Sequence, residues 1–95
     1  MYEVQPGYHE WRIYRDGEEF YTIDDGYGQL AEDQAHNQDI MDFWRLCGDY
    51  ADCICSEVEG TTLDDIESLS VVLFKAWARY FCYNEAEIVR VIGVV

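Results

Sequence analysis

Asp16 and Gly17 stand between two runs in which large apolar residues alternate with polar ones, YHEWRIYR and EEFYTID, and this pattern narrows the fold more than any other local feature. An Asp–Gly pair accepts the positive φ angles that a two-residue hairpin loop imposes on both of its central positions. The spacing predicts an antiparallel hairpin over residues 8–24, with Ile13 opposite Phe20, Arg12 opposite Tyr21 and Trp11 opposite Thr22. Trp11, Ile13 and Phe20 are then expected on a buried face. Glu10, Arg12, Tyr14, Glu19, Tyr21 and Ile23 are expected on the other, a mixed surface of acids and tyrosines.

Beyond the hairpin the period changes. DDGYG, residues 24–28, reads as a connection, and a helical segment follows from about Gln29, interrupted or bent near His36 and Asn37. Residues 39–58 form the clearest helix, because Ile40, Phe43, Trp44, Cys47, Ala51, Ile54 and Cys55 fall within one arc at 100° per residue, with Asp42, Asp49, Asp52 and Glu57 opposite. Gly48 weakens this helix by roughly 1 kcal/mol relative to Ala and marks a place where it could break. Gly60 suits the end of the helix. Thr62 and Asp65 resemble a helix start, and the run from Leu63 to about Tyr83, apolar nearly all round after Val71, is expected to be the most buried element. In the tail, Asn84 and Glu87 have capping-box spacing, whereas the β-branched run Ile88 to Val95 favours a third strand. The expectation is one α+β domain over residues 1–95, an N-terminal hairpin with this C-terminal strand packed on two to three helices.

Charge constrains the partner more than the fold. The chain has 20 Asp and Glu against 6 Lys and Arg, a net charge of -14, and residues 1–60 hold 15 of the acids and 3 of the bases. Such a field attracts basic partners and repels nucleic acid and anionic membrane. No membrane span is read, since Lys75 and Arg79 interrupt the most apolar segment. MYEVQPGYHE has neither the basic start nor the apolar stretch of a secretory leader. The cytoplasm is the expected compartment, and four cysteines there are expected as thiols.

The residue types that carry chemistry do not assemble into a site. On one helix Cys47 and Cys53 are separated by about 9 Å of rise, and Cys53 and Cys55 point in nearly opposite directions, so neither pair can bridge or share a metal. Cys82, on the next helix, can approach one of them at most. A small metal-binding or redox protein using Cys47, Cys53, Cys55 and Cys82 is therefore the weaker alternative, since the CxxC or Cys/His spacing of zinc sites is missing. His9 and His36 are isolated and read as structural. Catalytic carboxylates need unequal environments, and nothing in the sequence supplies a recognisable substrate pocket around the acid pairs Glu18–Glu19, Asp24–Asp25 and Asp64–Asp65, while DDGYGQLAED does not follow the alternation of a calcium loop. Asp64, Asp65 and Glu67 suit the start of a helix dipole whose end carries Lys75 and Arg79. No phosphate loop, nucleophile elbow or cofactor motif occurs, so neither an enzyme nor a cofactor is expected.

The acidic surface remains. Carboxylates three or four residues apart on a helix lie about 5 to 6 Å apart, and alternate strand residues about 7 Å, separations of the order of the phosphate repeat along a nucleic-acid strand. A small, intensely acidic, tyrosine-rich chain of this kind resembles the phage-encoded DNA-mimic inhibitors, including many anti-CRISPR proteins. Those inhibitors have no common fold, so the resemblance assigns no residue a role. It implies an inhibitor that blocks DNA or RNA engagement by a basic nucleic-acid-binding protein or ribonucleoprotein complex, a CRISPR effector or nuclease, in the cytoplasm of the host cell.

On this reading Glu10, Glu18, Glu19, Asp42, Asp49, Asp52 and Glu57 steer the encounter, and Tyr14 and Tyr21 anchor it. An acidic immunity protein or antitoxin that neutralises a basic nuclease or toxin has the same physical requirements. A fourth reading is an assembly protein whose VIGVV tail pairs with a second copy to give a homodimer.

Overall fold

The computed structural model describes residues 1–7, 10–81 and 83–94. His9 and Cys82 lie outside the described residues. Among the described residues there are three strands followed by four helices, an α+β arrangement with the expected hairpin at its N-terminal end. The strands are β1 (Tyr2–Gly7), β2 (Glu10–Arg15) and β3 (Glu18–Asp24), and they form one antiparallel sheet in the order β1-β2-β3.

The turn forms where expected, with φ of 52° at Asp16 and 84° at Gly17. Tyr14 then pairs with Glu19, but a bulge follows, and Ile13 faces Tyr21, Arg12 faces Thr22 and Trp11 faces Ile23. The expected pairing of Ile13 with Phe20 is therefore corrected by one residue. A bulge places two residues opposite one and shifts the alternation of everything beyond it. Phe20 is the extra residue. It is half-buried, edge-on to the Tyr2 ring at 5.1 Å and beneath the Arg15 guanidinium, also at 5.1 Å. The shift carries Ile23 into the core beside Trp11 and Ile13 and turns Tyr21 inward, off the polar face on which both were expected.

The third strand is also not the expected one. β1 supplies it from the N-terminal end, at the sheet edge, where Pro6 is tolerated because an edge strand does not need every backbone N–H. The tail instead forms a helix, α4 (Glu85–Val94). The Asn84 side chain accepts a hydrogen bond from the backbone of Ala86 at 2.8 Å, and Arg79 clamps Glu85 at 2.8 Å. Ile88 and Val91, one helical turn apart, are buried, with Ile92 half-buried beside them. Packing of that stripe overrides the β-propensity of the run.

The remaining helices are α1 (Asp25–Asn37), α2 (Ile40–Ser56) and α3 (Leu63–Tyr80). α1 follows β3 without the expected connection at residues 24–28 and ends where a break was expected. α2 runs unbroken through Gly48 and buries Ile40, Phe43, Cys47, Ala51, Ile54 and Cys55, with Trp44 half-buried. Thr62 and Asp65 make the reciprocal capping box at the start of α3. α3 is the centre of the molecule, touching β1, α2 and α4. Its Leu69, Leu73, Phe74 and Trp77 are fully buried, and Trp77 meets Trp11 edge-on at 6.1 Å. Tyr83 closes the far end, its hydroxyl lying 2.7 Å from the Ala35 carbonyl and 2.9 Å from that of Gln38.

Candidate functional site

Cross-strand partners share a face of the sheet, so the register identifies the outer surface. One row across it is Glu3, Tyr14, Glu19, and the next is Gln5, Arg12, Thr22. Beyond them Glu10 stands opposite Asp24. Tyr14 is thus half-buried between two exposed glutamates, and Arg12 is the one base on this face among the described residues. Its Nε bonds Glu10 at 2.8 Å, which neutralises one acid of that face. Glu3 and Asp24 were not among the expected site residues. The signal that reveals them is the pairing of β1 and the register beyond the bulge.

A second acidic surface runs along α2. Asp42, Asp49 and Asp52 are exposed on the side opposite its buried residues. Arg45 reaches Asp42 at 3.1 Å, an exposed pair of little energetic weight. Asp49 and Asp52 have no base between them on the helix. The two surfaces belong to different elements, and the expected residues divide between them. Glu10, Glu19 and Tyr14 lie together on the sheet, whereas Asp42, Asp49 and Asp52 lie together on α2. Glu18 is at the turn, opposite Arg15 and off the Tyr14 row.

Tyr21 and Glu57 join the sheet to the helix. The Tyr21 hydroxyl donates to a Glu57 carboxylate oxygen, just past the end of α2. Tyr21 and Ile23 on one side and Leu46, Tyr50 and Ile54 on the other then line a groove of about 180 Å³ between β3 and α2. Its lining is mostly apolar, with the carboxylates of Asp49 and Glu57 at its edge and Cys53 between them. Tyr50 is held in place by an edge-on contact with Trp77 at 5.3 Å. This groove was not legible in the sequence, because it needs β3 and α2 side by side.

The cysteines follow the helical reading: Cys47 and Cys55 are buried and Cys53 is exposed. Burial pushes the Cys47 thiol far up, and burial followed by the nearby Asp65 and Asp52 carboxylates raises that of Cys55. Thiols held protonated in this way are poor nucleophiles and metal ligands. Among the described residues no three of His, Cys, Asp and Glu converge to hold a metal ion. His36 lies on the exposed side of α1, 3.9 Å from Glu32. No helix among the described residues is long and apolar enough to cross a membrane.

Asp65 is drawn into a different contact. It accepts a hydrogen bond from the Tyr2 hydroxyl at 2.6 Å and lies 3.9 Å from the Arg15 guanidinium, and the Tyr2 bond, then the Thr62 backbone bond, hold its carboxyl below the usual range. The group ties the sheet to the start of α3 and is structural. Comparison with protein families, with curated proteins and with solved structures finds no match for the chain.

Proposed function

We propose that this chain is a small acidic inhibitor, a DNA mimic of the anti-CRISPR type, which occupies the positively charged nucleic-acid-binding surface of a host defence complex and keeps DNA or RNA out. The observation that carries the reading is the outer face of the sheet, where Tyr14 sits between Glu3 and Glu19 with Glu10 and Asp24 alongside. A rigid sheet presents these carboxylates at intervals fixed by strand geometry, about 7 Å along a strand and 4.7–4.9 Å between strands. A partner that grips phosphates through Lys and Arg meets comparable charge spacing there, with counterions to release.

The two parts of the face have different tasks. The excess charge, -14 over the chain, speeds encounter with a basic surface. Residence needs a desolvated contact, and tyrosine suits it, bringing a large ring and a hydroxyl at small entropic cost. Asp42, Asp49 and Asp52 extend the field along α2.

The test is capture of the partner from a bacterial lysate on the immobilised protein, with elution by salt and competition by a short DNA duplex. The expected result is a nucleic-acid-binding protein or complex that the duplex displaces. Its binding is then lost from the triple variant Glu3→Lys, Glu10→Lys, Glu19→Lys. A captured protein whose binding ignores both the duplex and the triple variant overturns the reading. Recovery of a single basic toxin or secreted nuclease, inhibited one to one, assigns the chain to the immunity proteins instead.

A further inference from the structure

We propose that the groove between β3 and α2 is a docking site for an extended basic segment of the protein partner, in which an apolar side chain is flanked two residues to either side by arginine or lysine. The inference rests on the reading of the chain as a ligand for a basic protein, and adds to it a second, chemically distinct contact.

Size sets the first limit. At about 180 Å³ the groove is smaller than the roughly 300–1,000 Å³ of clefts that take drug-sized ligands, so it has room for one side chain. Its walls decide which kind. Tyr21, Leu46, Tyr50 and Ile54 offer a mostly apolar surface, which favours a branched or aliphatic occupant over a polar one.

Charge sets the second limit. Asp49 and Glu57 are eight residues apart, two turns, so their backbones lie about 12 Å apart along the helix, too far for one cation to serve both. Glu57 already accepts the Tyr21 hydroxyl, yet a carboxylate has about four acceptor positions and keeps most of them. Neither acid has a base among the described residues that line the groove. In an extended chain the side chains of residues i, i+2 and i+4 point the same way and the outer two are separated by about 13 Å. One apolar side chain can therefore enter the groove while cations on the same face reach both carboxylates. Arginine is preferred over lysine, because its planar guanidinium pairs with a carboxylate in two places.

Two-dimensional NMR of the intact protein, titrated with the peptide acetyl-Gly-Arg-Ser-Leu-Ser-Arg-Gly-amide, tests the site. Shifts are expected at the backbone amides of Tyr21, Leu46, Asp49, Cys53 and Glu57. The affinity is expected to fall about tenfold when both arginines become glutamine, when the leucine becomes alanine, or in the Asp49→Asn, Glu57→Gln variant. That variant keeps an acceptor for Tyr21 and changes two exposed side chains, and its unperturbed spectrum checks its fold. Exposed Cys53 gives an independent measurement, since its alkylation by iodoacetamide, mapped by mass spectrometry, is expected to slow when the peptide is bound. Equal affinity for the glutamine peptide, or the same shifts on concentrating the protein alone, overturns the proposal in favour of an apolar ligand or a second copy. Shifts around Tyr14 and Glu19 overturn the groove while leaving the acidic-inhibitor reading intact. Groove binding by the peptide, with no basic partner captured from lysate, supports the site and counts against that reading.

Discussion

At the scale of single residues, the contact most exposed to test is the one between Tyr2 and Asp65. Tyr2 is buried, and its hydroxyl bonds a carboxylate on another element, so each group alters the titration of the other. Asp65 titrates below its ordinary range, first because of the Tyr2 bond. A carboxyl depressed in the folded state stabilises that state above its unfolded pKa, about 3.9, and the contribution is lost as pH falls through the folded value. Tyr2 is raised, first by burial and then by the bond to Asp65. It stabilises the fold fully below its unfolded value near 10, and that contribution is lost as pH rises through the folded one. Tyr2→Phe is therefore expected to lower stability at neutral pH and to flatten both the acid and the alkaline flanks of its pH dependence. Urea unfolding of both proteins between pH 3 and 11 measures this, and parallel curves would count against the coupling. The partnership itself was not legible. Asp65 could be read as a helix cap, which it is, but a hydrogen bond spanning 63 residues leaves no local trace.

At the scale of elements, helices were read more accurately than the sheet. The buried arc of α2 and the cap of α3 follow from spacings of three and four residues, and those spacings decide which side of a helix is apolar whatever packs on it. Gly48 shows the limit of propensity, because α2 continues through it. A methyl group there would stand 3.9 Å from Ser70 Oγ, an ordinary contact. Gly48→Ala is accordingly expected to stabilise the protein by about 1 kcal/mol, raising the melting temperature by roughly 4–8 °C. Thermal unfolding followed by circular dichroism checks it, and a lower melting temperature would show that Ser70 cannot accommodate the methyl. In the sheet the alternation was visible and the bulge was not. Phe20 leaves the regular pairing while packing on Tyr2 and Arg15, and Tyr2 belongs to a strand made inconspicuous by Pro6. The tail erred in the opposite sense. Its Ile88, Val91 and Ile92 have helical spacing, a signal present in the sequence but outweighed there by β-branching.

At the scale of the whole molecule, a net charge of -14 opposes compaction, yet the Cα radius of gyration is 12.5 Å, matching the roughly 12 Å of an ordinary folded domain of this length. The core built around α3 holds the charges together against their repulsion. Salt should relieve that strain: raising NaCl from 10 to 300 mM is expected to increase stability toward urea, because the Debye length falls from about 30 Å to below 8 Å. An unchanged or lowered midpoint would mean that the acids are already compensated within the fold. The same salt is expected to weaken capture of a basic partner, so the two effects have opposite signs and separate stability from binding. The sequence by itself determined the α+β class, the hairpin turn, the apolar side of α2 and the acid excess, because each depends on residues within a few positions of one another or on composition. Tertiary structure alone decided that Tyr21 and Ile23 turn in while Tyr14 keeps its expected place among the acids, and that Asp49 and Glu57 edge a groove. A strand's two faces exchange on a slip of one residue, and the register is settled by what the strand packs against, here Tyr2, Trp77 and α2, which the chain brings together only on folding.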